Sequence, residues 1–136
     1  MKAVVYHEYG PPDNLELKEV EKPTPRDDEV LVKVYAASVK ASDWEFLTGS
    51  PLYIRMWGLL KPKYNILGTD IAGRVEAVGK NVKQFQPGDE VFGDIMNRKS
   101  GLAEYVCAPE DALVLKPTNM TFERVAAILQ AAVVAL

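Results

Sequence analysis

Side chains able to carry chemistry are sparse in this sequence. It contains one histidine, His7, and one cysteine, Cys107. A zinc site needs three or four cysteine, histidine or carboxylate ligands at set spacings, and neither residue stands in such a group. No nucleophile is paired with a general base in a recognisable pattern. We therefore expect His7 to be a surface or packed residue, Cys107 to be a small buried side chain, and any catalysis to rest on hydrogen-bond donors.

The most constrained stretch runs from Ile66 to Val91. Residues 71 to 78 alternate as a strand does, with Gly73 in the middle. A glycine inside a strand usually marks a bulge or a close approach by another group. Pro87-Gly88 predicts a tight turn, because proline presets φ at the second position and glycine supplies positive φ at the third. Periodicity alone leaves a plain antiparallel pair in a small β-domain open as an interpretation.

The rest of the chain predicts more strands than helices. One short helix should begin near Ser42 and end at Gly49, and a second should begin at Thr121, whose hydroxyl suits an N-cap. A polar loop broken by prolines covers residues 21–28. The predicted strands cover residues 2–7, 15–20, 29–37, 71–78, 90–92, 102–107 and 112–115.

Composition limits the classes of function. The chain has 136 residues, 48% of them hydrophobic and 26% charged, which is typical of one globular domain. The net charge of −3 does not favour a nucleic acid or an anionic membrane as partner. A single cysteine allows no internal disulfide and favours a reducing compartment. The N-terminus shows no signal-peptide pattern, and no apolar run is long enough for a membrane span. We expect a cytoplasmic protein.

Several motifs in this order resemble the signature of the medium-chain dehydrogenase/reductase family. They are Gly68-Thr-Asp70, Gly73, Val78-Gly79, Pro87 to Val91, and the run from Gly101 to Val106. The opening Met1 to Tyr6 is also typical of that family. The resemblance implies a mostly β, GroES-like, partly open barrel with short helices. It further implies the zinc-free branch of quinone oxidoreductases, which includes reticulon-interacting proteins and many bacterial proteins classed as alcohol dehydrogenases.

The resemblance implies the site residues. Zinc-dependent members carry a cysteine at the position of Lys40, and a histidine and a glutamate at Thr69 and Asp70. Lysine repels a dication and threonine is a poor zinc ligand, so no metal is expected. Lys40 becomes the candidate catalytic residue, donating to a developing oxyanion or to cofactor phosphate. Thr69 becomes the candidate cofactor contact, to the nicotinamide amide, and Trp44 a candidate wall of the substrate cleft.

Each of these residues also has an alternative interpretation as a structural or surface residue. Lys40 could be a surface lysine, Thr69 a strand-end hydroxyl bonded to backbone, and Trp44 a core residue. Asp43, which matches a common aspartate of the family, is interpreted as a helix or turn cap. The segment 50–65 is interpreted as a packed loop or short helix, as a substrate-facing wall, or as a membrane-surface patch.

The C-terminal segment is unusually apolar. From Val125 to Leu136 only Gln130 is polar, and a helix that is apolar all round belongs inside a larger protein. Helical spacing predicts that one face of the helix packs on the β-domain through Val125, Ile128, Leu129 and Val133. In the resembled family this helix leads into a Rossmann domain, whose glycine-rich fingerprint is absent here. We expect residues 1–120 to form the GroES-like catalytic domain and residues 121–136 to begin the interdomain helix of a longer protein.

The function implied by the resemblance is reduction of a quinone, enone or aldehyde by hydride transfer from NADPH or NADH. The cofactor would be held mainly by the absent domain, so this chain alone should be inactive. We expect self-association of the chain and a homodimer of the parent, with a small carbonyl or quinone substrate. Two rivals remain: a GroES-like binding module that assembles as a ring, and a non-catalytic structural module.

Overall fold

The computed structural model describes residues 1–39, 41–49, 66–95 and 100–135, except for the side chains of residues 42 and 129–135. Seven strands and two α-helices follow one another in this part of the chain. They are β1 (Lys2–Val5), β2 (Glu16–Glu19), β3 (Glu29–Ser38), α1 (Ala41–Thr48), β4 (Asp70–Val78), β5 (Glu90–Asp94), β6 (Tyr105–Pro109), β7 (Leu113–Leu115) and α2 (Phe122–Ala135). Short 3-10 turns lie at Pro12–Asn14 and Glu110–Ala112.

The described strands form two antiparallel sheets. β1 pairs with β2, and the larger sheet has the strand order β6-β3-β4-β5-β7. Both sheets are open at their edges, so the predicted partly open barrel is realised as two open sheets. The prediction of a mostly β, GroES-like fold with short helices is confirmed.

Close backbone contact explains the glycine in the middle of β4. Gly73 pairs with Val34, and the β3–β4 register shifts between Val34 and Ala36. A Cβ at Gly73 would lie 2.0 Å from the carbonyl oxygen of Lys33. The predicted close approach is therefore real, and it allows β3 and β4 to stay paired across the irregularity.

The turn after β4 has the geometry that its sequence predicts. Gly88 has a φ of +98°, and Asp89 N–H donates to the Gln86 carbonyl at 3.1 Å. Gly88 N–H also donates to Val75 O at 2.8 Å. The turn thus returns the chain onto β4, where β5 pairs.

One face of the larger sheet carries the main core. Val30 and Val32 of β3 pack with Ile71 and Val75 of β4 and with Val91 of β5. All five are at most 2% exposed. Burial of these branched side chains on alternate strand positions is what the alternation predicts.

Helix α2 packs on the opposite face of the same sheet. Val125 and Ala126 contact Ala72 of β4. Thr121 caps the helix as predicted, accepting the Arg124 N–H at 3.2 Å. Val125 is buried as expected, but Ile128 is 47% exposed, so the prediction is wrong for Ile128. The side chains of Leu129 and Val133, which were predicted to lie on the same face, are outside the described residues. The helix faces the sheet with the adjacent pair 125 and 126, which turns position 128 outward.

Helix α1 and the small sheet enclose a second core. Tyr6, Leu47 and Leu67 are buried together, with Leu15 and Leu102 packed against them. Gly49 ends the helix with a φ of +68°, as predicted. Within the described residues, no helix combines the length and the apolar character that crossing a membrane requires.

Candidate functional site

The candidate site lies where β3 ends and β4 begins. Ser38, the last residue of β3, pairs with Asp70, the first residue of β4. Ser38 Oγ donates to Asp70 Oδ2 at 3.4 Å. Asp70 also pairs across the sheet with Asp94 of β5, and its side chain is 2% exposed. Buried carboxylates are uncommon, and three of the four buried polar residues among those described, Asp43, Thr69 and Asp70, lie at or next to this end of the sheet.

Thr69 stands directly before Asp70 and is fully buried. Its backbone carbonyl accepts the Ile95 N–H at 2.6 Å. Its Oγ1 has no hydrogen-bond partner among the described residues. An unsatisfied buried hydroxyl costs free energy, so this atom has hydrogen-bonding capacity that the described part of the chain leaves unused.

Asp43 joins helix α1 to the segment before β4. Its Oδ1 accepts the backbone N–H of Gly68 at 3.1 Å, across 25 residues of sequence. Asp43 itself is 3% exposed. A charge-assisted bond to a buried backbone N–H holds the segment bearing Thr69 against α1.

Two glycines bring a third segment to the same place. Gly68 has a φ of +100°, and a Cβ there would lie 2.8 Å from Leu102 N. Gly101 N–H donates to Gly68 O at 3.0 Å, and Leu102 N–H donates to Leu67 O at 2.9 Å. The two backbones touch because neither glycine carries a side chain, which sets Leu102 beside Leu67.

An open, apolar cavity of about 250 Å³ borders this polar cluster. The strand end contributes Val39, helix α1 contributes Trp44 and Leu47, and more distant segments contribute Leu15, Leu67 and Leu102. Trp44 and Val39 are 56% and 75% exposed, so they stand at the mouth. Asp43 also lines it and is the single charged residue among the described lining.

The phenol of Tyr6 lies under helix α1, beneath the cavity wall. Tyr6 OH donates to the carbonyl of Phe46 at 3.3 Å. Burial raises the pKa of Tyr6 above its usual value, and the charges of Tyr9 and Asp43 raise it further. Tyr6 therefore stays neutral and supports α1 through packing and one hydrogen bond.

Of the three predicted site residues, Trp44 lines the cavity, whereas Thr69 is fully buried and is not part of the described lining. Thr69 is joined to the cavity only through Gly68, whose N–H binds Asp43. Lys40 lies outside the described residues, as does the segment 50–65 for which a substrate wall was one interpretation. No group of three or more histidine, cysteine or acidic residues in the described part of the chain could hold a metal ion.

Sequence reasoning missed most of the cavity. Leu15, Leu47, Leu67 and Leu102 attracted no attention because single leucines carry no chemical signal. Gly68 and Gly101 both belong to family motifs, and glycine permits a close backbone approach, but neither residue type specifies that these two segments meet.

Comparison with known proteins extends over nearly the whole chain. Residues 26–118 match the model of the alcohol dehydrogenase GroES-like domain. The chain is 35% identical over 136 residues to a 2-methylene-furan-3-one reductase of Solanum lycopersicum, covering 94% of this chain and 34% of that protein. It is 34% identical over 136 residues to an NADPH-dependent alkenal/one oxidoreductase, chloroplastic, of Arabidopsis thaliana, with 94% and 34% covered.

One solved structure has a closely similar backbone over the matched part. The quinone oxidoreductase from Coxiella burnetii superposes with a TM-score of 0.91 at 31% identity, over 99% of this chain and 43% of that one. The chain thus spans about a third of the length of the curated relatives it matches.

Proposed function

We propose that this chain is the catalytic domain of an oxidoreductase. The chain belongs to the family of alcohol dehydrogenase GroES-like domains, and this membership is the basis of the proposal. Its relatives place it with the quinone oxidoreductases of the medium-chain dehydrogenase/reductase family. The reaction we propose for the parent protein is reduction of a quinone, an enone or an aldehyde by NADPH or NADH. The names of the furanone reductase and of the alkenal/one oxidoreductase support the enone, and the name of the Coxiella protein supports the quinone.

The apolar cavity beside buried polar groups carries this proposal. Small-molecule sites are concave, mostly apolar and furnished with a few polar groups, and the cavity at Trp44 has that form. The bound nicotinamide would supply the hydride. The protein then has to hold the acceptor and to stabilise the oxygen on which negative charge develops.

Lys40 is our candidate for stabilising that oxygen. The described residues of the cavity include no cationic side chain. Lys40 follows Val39, a residue of the cavity mouth, directly in the sequence. An ammonium group donating to the developing oxyanion would act at the step where charge appears, which is where stabilisation raises the rate.

Thr69 is our candidate for a cofactor contact. Its unpartnered Oγ1 can donate one hydrogen bond and accept others, which fits a carboxamide such as that of nicotinamide. Because the side chain is fully buried in this structure, the contact requires the covering atoms to shift when the cofactor binds. Thr69 thus fits the carboxamide of nicotinamide. The phosphates of the cofactor would be held elsewhere in the parent protein.

We further propose that the parent is zinc-independent. Lys40, Thr69 and Asp70 occupy the positions of the zinc ligands in zinc-dependent members of the resembled family. Threonine is a poor ligand for Zn²⁺, and a lysine ammonium repels it. Asp70 is also already engaged, since it accepts the Ser38 hydroxyl.

The domain proposal assigns residues 1–120 to the catalytic domain and 121–136 to the start of an interdomain helix. The exposed Ile128 on α2 supports a covering partner for that helix. We propose that the parent is a homodimer, that this chain alone self-associates and is inactive, and that the protein is cytoplasmic. One of the relatives is named as chloroplastic, so the location of this protein needs a test of its own. Cell fractionation provides it.

The test of function is nicotinamide oxidation by the full-length gene product. We expect turnover with NADPH or NADH and at least one of a benzoquinone, a butenone and a butanal. The 136-residue chain, assayed alone at the same concentration, is the matched control and should give no turnover. A parent protein that binds the cofactor but reduces none of the three classes would overturn the proposal, and light scattering that finds a ring would favour a binding module.

A further inference from the structure

We propose that Lys116 is a positioning residue, which holds helix α2 in one orientation on the larger sheet and thereby sets where the second domain of the parent protein stands over the site. This inference rests on the proposed function, because it needs a parent in which α2 leads into a domain that binds the nicotinamide. Lys116 would act on the reaction through α2, without contacting the substrate. The physical basis is one closed set of contacts around its ammonium group.

The ammonium of Lys116 is directed at the chain around the start of α2. Its side chain is 7% exposed. Nζ donates to the carbonyl of Met120 at 2.8 Å and to that of Pro117 at 3.3 Å. It also lies 3.7 Å from Glu90 Oε1. Buried lysines are rare unless they are paired, and these contacts connect the turn before α2 to strand β5.

Five side chains close a ring at this place, here called the Lys116 cluster. Glu90 binds Lys116 through Oε1 and Arg74 through Oε2, the latter at 3.4 Å. The guanidinium of Arg74 lies 5.6 Å from the ring centre of Tyr35, and Tyr35 meets Phe122 edge to face at 4.7 Å. The ring of Phe122 lies 5.1 Å from Lys116 Nζ. Because Phe122 begins α2, the cluster links this helix to strands β3, β4 and β5.

The stability of the helix by itself does not explain a cation at this end. The amino end of a helix carries a partial positive charge, so a cation there is unfavourable, whereas Glu123 in the first turn suits it. Thr121 already caps α2 by accepting the Arg124 N–H. The contacts of Lys116 therefore supply something that the cap does not, which is a connection between the helix and the sheet.

The orientation of α2 matters because the Lys116 cluster and the candidate site share one face of β4. Arg74 belongs to the cluster and Asp70 to the site, about 13 Å apart at roughly 3.3 Å per residue. Ala72 lies between them and packs against α2. The helix is about 21 Å long, so a rotation of about 10° at Phe122 would move its far end by about 4 Å. A misplacement of about 1 Å can lower a rate about a hundredfold.

The test compares Lys116→Met with wild type in the full-length gene product. Methionine keeps the apolar stem and loses the charge and the donors. Amide hydrogen exchange in peptides covering residues 118–126 should become at least about tenfold faster, while exchange in β3 and β4 should not change. Looser positioning should lower kcat by about ten- to a hundredfold. The KM for the acceptor should change by less than about twofold. The primary isotope effect with cofactor deuterated at the transferred hydride should rise, because hydride transfer becomes the slower step.

Lys22→Met is the matched control. Lys22 also pairs with a glutamate, Glu76, and its ammonium lies 4.1 Å from the ring centre of Tyr105. These partners belong to β4 and β6 and to no part of α2, so this variant should leave exchange in α2, kcat and the isotope effect unchanged. Glu90→Gln removes the charge shared by Lys116 and Arg74 and should act in the same direction as Lys116→Met.

Two results would overturn the inference. One is exchange in α2 that is equal in Lys116→Met and wild type. The other is faster exchange with unchanged kcat and isotope effect, which would make Lys116 a purely structural residue and leave the proposed function intact. If Lys116→Met does not fold, Glu90→Gln, at a partly exposed side chain, carries the same test. A wild-type parent without turnover would reject the proposed function, and hydrogen exchange on the same proteins would still decide whether Lys116 holds α2.

Discussion

The carboxylate of Asp43 accepts the backbone N–H of Gly68 at 3.1 Å, and both residues are buried. One hydrogen bond therefore connects helix α1 to the segment that leads into β4. Thr69, the candidate cofactor contact, follows Gly68 directly. Its position therefore depends on Asp43, which lies 25 residues before Gly68 in the sequence.

Asp43→Ala should destabilise the chain by about 1–3 kcal/mol, because it leaves the buried Gly68 N–H without an acceptor. Asp43→Asn keeps an acceptor and should cost less. The free energy of unfolding in urea measures both, with Asp13→Ala, at an exposed acidic residue, as the control. An Asp43→Ala variant as stable as wild type would mean that water replaces the carboxylate at no cost.

Gly73→Ala should destabilise the chain by about 3 kcal/mol, the upper end of the cost of overpacking. The new Cβ would lie 2.0 Å from the Lys33 carbonyl oxygen, so β3 and β4 must move apart. Gly88→Ala is the matched control. A Cβ there meets nothing within 4 Å, and only the positive φ opposes it, at about 1–2 kcal/mol. Equal costs for the two variants, measured by chemical denaturation, would contradict the close approach at Gly73.

Tyr6 should make stability fall at high pH. Because burial raises its pKa in the folded chain, the unfolded chain loses the phenolic proton first, near pH 10. The contribution of Tyr6 is thus fully present below about pH 10 and declines above it, by up to about 1 kcal/mol per pH unit. Tyr6→Phe should reduce this decline, and Tyr35→Phe, at a ring that is 44% exposed, is the comparison. If the free energy of unfolding falls equally between pH 8 and 11 in wild type and in Tyr6→Phe, Tyr6 is not the cause of the decline.

Lys40→Ala in the full-length protein should lower turnover far more than stability. Loss of one charge-assisted hydrogen bond to the developing oxyanion should raise the barrier by about 2–4 kcal/mol. Loss of a surface lysine should change the free energy of unfolding by less than about 0.5 kcal/mol. Steady-state kinetics and urea denaturation give the two numbers, and Lys33→Ala, at an exposed lysine of β3, is the control. Unchanged kinetics would mean that Lys40 is a surface lysine without a role in catalysis.

Neither this chain nor the full-length protein should retain stoichiometric zinc. Lys40 and Thr69 cannot replace the cysteine and histidine that a catalytic zinc requires in the resembled family. Elemental analysis after dialysis measures the content, with a zinc-dependent alcohol dehydrogenase carried through the same dialysis as the control. About one zinc per chain in the dialysed protein would refute zinc independence and leave the fold assignment untouched.

Local signals in the sequence determined most elements and their ends. The turn at Pro87-Gly88, the helix end at Gly49 and the cap at Thr121 all follow from the residue's own φ preference or from a hydrogen bond within one turn. The alternation within the predicted strands 29–37 and 71–78 agrees with the burial of Val30, Val32 and Val75 on one face. The family motifs, which are local as well, identified the GroES-like class. In each case the physical cause acts between residues that are close in sequence, so one sequence was enough.

The faces of the sheet and the site needed the tertiary structure. Ala72 lies on the side of β4 that alternation marks as the more polar one, yet it has no exposed surface because α2 covers it. Ile128 is exposed because the same helix turns positions 125 and 126 to the sheet. Which face a helix covers depends on the fit of two surfaces, and periodicity in either segment does not specify that fit.

The cavity shows most clearly which features follow from the sequence and which depend on the tertiary structure. The family motifs indicate Trp44 and Thr69 as candidates, but Leu67 and Leu102 lie side by side because Gly68 and Gly101 allow two backbones to touch. Leu15 joins them from a third segment. Likewise, the sequence presents Asp43 as a cap without saying which N–H it binds. Burial and hydrogen bonding between distant segments are set by packing of the whole chain, and residue type at one position does not encode the partner.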